Sequence, residues 1–166
     1  LPAWKAELEK AQQTPQGRAR IALAAVLGQL PDWAIMTTPR PASSDFDARQ
    51  AGYYDALVSS RLPALAQMMS SRRQIGLAYG GNVSWNAGYD YTAALNKLRD
   101  KKLVETLYRR AGLSLSADLK ALATAARISA EPSALQAIAE QQYFGSLSIP
   151  VISMQGIGDQ ISVPAA

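Results

Sequence analysis

The 166 residues predict a mainly α chain, a helical bundle followed by one short β-strand. Three observations lead there. Apolar residues recur at helical spacing through most of Trp4 to Gln142. Prolines, glycines and capping residues divide that pattern into pieces of ordinary helix length. Near the end the pattern changes to Ser148-Ile149-Pro150-Val151-Ile152-Ser153-Met154, a β-branched apolar run bounded by Ser146 and Gly156. Its length and composition read as strand.

The elements follow in order. Trp4 to Gln13 carries Trp4, Leu8 and Ala11 on one face, with Pro2 suited to a first turn. Thr14-Pro15 is a start signal, Thr accepting a backbone N–H at the N-cap and Pro standing where no donor is needed. Gly17 to Leu30 is apolar on more than one face, the mark of a mostly buried helix. Three prolines and two Ser-Thr clusters make Pro31 to Ser44 a loop. Ser44 or Asp45 then caps a long stretch from Phe46 to about Tyr79, which Pro63 should kink or divide. Gly80 to Gly88 is a loop enclosing Trp85. Shorter helices follow at Tyr91 to Leu98, Lys101 to Ala111, Ser116 to Ala125 and Pro132 to Gln142, with Gly112 a natural helix stop.

Composition excludes several chemistries. At 48% apolar and 18% charged residues the chain is globular in type rather than disordered. It has no cysteine and no histidine, so neither a thiolate nucleophile, a Cys- or His-based metal site nor a complete Ser-His-Asp triad fits within it. Absent cysteine suits either side of a membrane. The net charge of +4 is dispersed in pairs such as Arg72-Arg73 and Arg109-Arg110 among acids, unlike the dense basic stripe of a nucleic-acid binder. No window approaches the roughly 20 apolar residues of a membrane span. No metal or cofactor is implied: Gly80-Gly81-Asn82 lacks the Lys-Ser/Thr of a phosphate loop, and Asp45 with Asp47 fits a helix start better than a calcium loop. A start at Leu1-Pro2 without methionine leads to the expectation of a processed protein or a fragment.

A single strand cannot satisfy its own backbone hydrogen bonds. The expectation is therefore that the run near residue 150 joins a sheet supplied from elsewhere, by the rest of the same protein or by another copy of the chain. After it, Gln155-Gly156-Ile157-Gly158-Asp159-Gln160-Ile161-Ser162-Val163-Pro164 is a two-glycine turn that delivers one carboxylate at a strand's C-terminal end. That is where ligands and catalytic groups of open α/β sheets gather.

This tail resembles the late strand of the α/β-hydrolase fold family, which reads Pro, an apolar run, Gly, one or two residues, Asp and then Val-Pro. Many members insert a helical cap before that strand, and the helical region looks like such a cap. The helix around Thr14-Pro15-Gln16-Gly17-Arg18-Ala19-Arg20 and the loop from Asn82 to Tyr91 are similar to those of actinobacterial large-cap members. The resemblance implies a helical cap or lid domain over 1–145 and a fragment of hydrolase core over 146–166. It implies that Asp159 is the triad acid, with Ser and His supplied outside the chain, since the family order is Ser, acid, His. The activity implied is hydrolysis of an ester, amide or similar acyl bond in a small molecule, without a cofactor.

Trp85, Tyr89 and Tyr91, with Asn86 and Asp90, are candidates to line a substrate pocket; packing within the cap is the structural alternative. The alternative function is a stand-alone helical binding or scaffold domain without catalytic activity, its terminal strand adding to a partner's sheet edge.

Overall fold

The computed structural model describes residues 2–33, 39–58 and 64–140. The expected strand at 148–154 and Asp159 lie outside these residues. Within them the chain is mainly helical, with eight helices and no strand. They are α1 (Pro2–Gln12), α2 (Pro15–Leu27), α3 (Phe46–Val58), α4 (Ala64–Ala78), α5 (Tyr91–Lys97), α6 (Lys101–Arg110), α7 (Leu115–Thr124) and α8 (Pro132–Ala139).

Helix α2 is the axis of the bundle and packs against α1, α3, α5 and α6. Local chemistry starts it: Pro15 stands in the first turn and the Thr14 hydroxyl accepts the Gly17 N–H at 3.0 Å. Ala19, Ala22 and Ala25 are fully buried, and these small side chains admit neighbours from several sides while Ile21, Leu23 and Val26 fill the gaps. Helix α6 is instead sharply two-faced. Leu103, Val104, Leu107 and Tyr108 point into the core, whereas Lys102, Glu105, Arg109 and Arg110 face water. Its end is a Schellman motif: Gly112 turns left-handed at φ 65°, its N–H reaches the Arg109 carbonyl, and the Leu113 N–H reaches that of Tyr108 at 3.0 Å.

Most expected elements are present with shifted ends. The stretch from Phe46 holds α3, which closes at Val58, and α4, which opens at Ala64; the expected break at Pro63 lies outside the described residues. The Asp45 carboxylate accepts the Ala48 N–H at 3.0 Å, which fits its expected role at a helix start. Helix α2 ends at Leu27, three residues earlier than expected, where Gly28 caps it and Gln29 turns left-handed at φ 54°. No helix among the described residues is long and apolar enough to cross a membrane.

The unexpected feature is polar. Asp32, Arg49 and Gln50 are buried together with the apolar core. Helix α3 can lie that close to the 32 loop because residue 52 is glycine: a methyl there would overlap the Asp32 carbonyl oxygen.

Candidate functional site

Two clefts and one loop gather polar contacts between residues distant in sequence. The loop runs from Gly80 to Asp90 and is anchored to the 127–131 segment. The Asn82 side-chain amide donates to the carbonyls of Ser84 (2.9 Å) and Ser129 (3.0 Å). The Asn82 N–H is accepted by the Glu131 carboxylate at 3.0 Å, and the Glu131 N–H returns to the Asn82 carbonyl at 2.7 Å. Asn86 repeats the device five residues from Tyr91. Its Oδ1 accepts the Ile128 N–H at 2.7 Å and its Nδ2 donates to the Tyr91 hydroxyl at 3.1 Å. An asparagine suits both places because its amide donates and accepts at once.

The three candidate aromatics are treated differently. Trp85 is 68% exposed and Tyr89 45% exposed. Tyr91 is half-buried, packs edge-on against Tyr89 with ring centroids 5.1 Å apart, and carries the Arg127 guanidinium 5.0 Å above its own ring. Of the three, Tyr91 alone lines a described cleft.

That first cleft holds about 600 Å³ and lies along α2, α5 and α7. Leu23, Ala24, Leu27, Tyr91, Ala121 and Leu122 make its walls mostly apolar. Its polar corner is a trio. Arg20 grips Asp118 through Nε to Oδ2 at 2.8 Å and Nη2 to Oδ1 at 3.3 Å, and the Tyr108 hydroxyl donates to Oδ2 at 2.9 Å. The hydrogen bond from Arg20 is the main reason the Asp118 carboxyl is held below the usual range. Burial, reinforced by Asp118, pushes the Tyr108 phenol up, so this hydroxyl is a donor and not a base near neutrality. An apolar chamber of this size with one polar corner is of the kind that takes small organic ligands.

The second cleft, of about 610 Å³, lies where the 40–44 loop, the start of α3 and the start of α6 meet. At its base Arg49 bridges two carboxylates. Its Nε donates to Asp32 Oδ2 and its Nη2 lies 2.6 Å from Asp100 Oδ1, while Nη1 donates to the Ser43 carbonyl at 3.3 Å. The Tyr53 hydroxyl completes the group, 2.6 Å from Asp100 Oδ2. Burial by itself would raise the Asp100 carboxyl; the bonds from Tyr53 and Arg49 outweigh it and hold the group below its ordinary value. Burial likewise opposes the charge on Arg49, but its two acids keep it firmly protonated.

The sequence expectations named neither the Arg20–Asp118–Tyr108 trio nor the Arg49 node. A signal for the second was present: Arg49, Tyr53 and Ala56 share one face of α3 at helical spacing, and a lone arginine on a packed face needs a carboxylate partner. The described residues hold no group of three or more acidic, His or Cys side chains placed to bind a metal. Asp159, the expected catalytic acid, lies outside the described residues.

No family model matches the chain, and no solved structure matches it. The chain is similar to an o-phthalyl amidase of Xanthobacter agilis, with 32% identity over 167 residues. The match takes in 96% of this chain and 36% of that protein, so the chain spans about a third of the length of the curated relative. By its name that relative is a hydrolase, and the likeness runs through the helices and clefts described above.

Proposed function

We propose that these residues form the cap and the acid-bearing strand of an amide-hydrolysing enzyme of the α/β-hydrolase type. The observation that carries the reading is the likeness to an amidase across nearly the whole chain. Two features support it. The described part is mainly helical, as a cap requires, and it contains clefts of about 600 Å³, a size that takes a small organic substrate. On this reading 1–145 is the cap, 146–166 belongs to the core, and Asp159 is the triad acid. Nucleophile and imidazole come from outside these residues, since the chain has no histidine and no Gly-x-Ser-x-Gly. The Ser oxygen adds to the amide carbonyl carbon, the His takes its proton and passes it to the departing amine, and water then releases the acid. Asp159 orients that His and stabilises its charged form. The cap shapes the acyl pocket and excludes water from it.

The test is hydrolysis of a phthalic monoamide by the protein that carries this stretch. Asp159→Asn should lower kcat by about 10³–10⁴-fold, and the 166-residue chain alone should be inactive. Full turnover in Asp159→Asn, or a protein inert towards amides, overturns the reading.

A further inference from the structure

We propose that the cleft above Arg49 binds a small aromatic carboxylate, held by Arg40, Arg99 and Lys102 beside Phe46. The place of this site in a reaction rests on the amidase reading, because a phthalic monoamide carries such a carboxylate; the binding chemistry rests on the cleft itself.

Four cations and two carboxylates line the cleft, which therefore carries a net charge of +2. The two carboxylates do not need the three outer cations. Asp100 is already satisfied by Arg49 and Tyr53, and Asp32 by Arg49. Arg40 reaches Asp32 at 3.5 Å and Arg99 reaches Asp100 at 3.4 Å, each with a well-exposed side chain. Contacts that long, from exposed guanidinium groups to acids that Arg49 already pairs, hold the two arginines only loosely. A guanidinium has five N–H donors, so both arginines retain donors for a ligand. Lys102 has no ion-pair partner among the described residues. Gathering like charges around one concavity is unfavourable for the fold by itself, but it concentrates positive potential where an anion would enter.

The same geometry adds to that potential. Asp100 stands at the N-cap of α6 without bonding its first-turn amides, since its carboxylate is turned to Arg49 and Tyr53. The first-turn amides of the 10-residue helix α6 thus have no side-chain acceptor, and Lys102 and Leu103 of that turn line the cleft. Pro41, half-buried Phe46 and buried Leu103 give the cavity an apolar wall, which a bare inorganic anion would not use. At about 610 Å³ it suits a substituted ring rather than a polymer.

The experiment is calorimetric titration of the 166-residue chain with phthalate, and with sulfate as the anion lacking a ring. We expect one saturable phthalate site, weakened by added salt. Lys102→Ala and Arg40→Ala should each weaken it about 10-fold, the usual worth of a charge-assisted contact, while Arg72→Ala leaves it unchanged. No saturable binding, or equal weakening by Arg72→Ala, overturns the site; sulfate binding as tight as phthalate overturns its aromatic half. In the protein that carries this stretch, Lys102→Ala should raise KM for a phthalic monoamide, leave kcat, and leave KM for the matching benzamide. Phthalate binding without any amide hydrolysis would overturn the amidase reading and keep this site. Hydrolysis indifferent to Lys102→Ala would overturn this site and keep the amidase reading.

Discussion

Asp100 opens α6 by position, yet its carboxylate serves Arg49 of α3, with Nη2 2.6 Å from Oδ1. One acid thus forgoes capping its own helix in order to tie two helices together. The same Arg49 holds Asp32, so the loop before α3 and the turn before α6 share one buried cation.

Removing that cation leaves two shielded carboxylates without their partner. Arg49→Leu should destabilise the fold by about 3–5 kcal/mol, the cost of uncompensated buried charge. Urea denaturation at neutral pH measures it, and a loss below about 1 kcal/mol would show the node to be dispensable. Arg49→Lys should recover little, because an ammonium cannot bridge two carboxylates in the planar fork that a guanidinium supplies.

Acidification should act through the same group. Asp100 has a folded-state pKa below its unfolded value of about 3.9, so its contribution is fully present above that value and is lost as pH falls towards the folded one. Asp118, held down chiefly by Arg20, behaves alike. Urea midpoints should therefore fall from about pH 5 downward, and the slope should be shallower in Asp118→Asn. An unchanged slope in that variant would mean that other carboxylates control the acid limb.

The end of α2 offers a stabilising change. Gln29 adopts a left-handed φ of 54°, and its N–H reaches the Val26 carbonyl while the Leu30 N–H reaches that of Ala25 at 2.9 Å. This is the Schellman pattern with a side chain where glycine is preferred. Gln29→Gly should raise stability by about 0.5–1 kcal/mol by relieving the left-handed penalty. A lower melting temperature would contradict that account.

Asn86 should govern the motion of its loop. Its Oδ1 is the acceptor for the exposed Ile128 N–H, so Asn86→Ala should speed hydrogen exchange at Ile128 by about 10-fold, the loss of one hydrogen bond's worth of protection. Exchange at Leu107, deep in α6, should not change. Equal acceleration at both would indicate global destabilisation instead.

Helix positions were legible because their determinants are local. Thr14 accepts the amide three residues on, Asp90 those of Thr92 and Ala93, and Ser114 that of Ala117. Gly112 stops α6 by a conformation only it adopts cheaply. Leu103, Val104, Leu107 and Tyr108 announce a buried face through spacing. The aromatics of the 82–91 loop were less legible. Spacing marked Trp85, Tyr89 and Tyr91 as a group, but Arg127, distant in sequence, is what braces Tyr91 beside the apolar cleft while Trp85 stays in solvent.

The sequence by itself determined a helical chain with neither thiol nor imidazole chemistry, since caps, breakers, periodicity and composition act within a turn or two of the residue concerned. Tertiary structure decided which charges leave water. Asp32, Arg49, Tyr53 and Asp100 come from three separate stretches, and nothing within any one of them reveals that the others will share its desolvation. A charged side chain is written the same way whether it ends in solvent or in the core. Only the packing of α3 against the 32 loop and the start of α6 supplies the partners that make burial affordable, and leaves Arg40, Arg99 and Lys102 around the cleft that results.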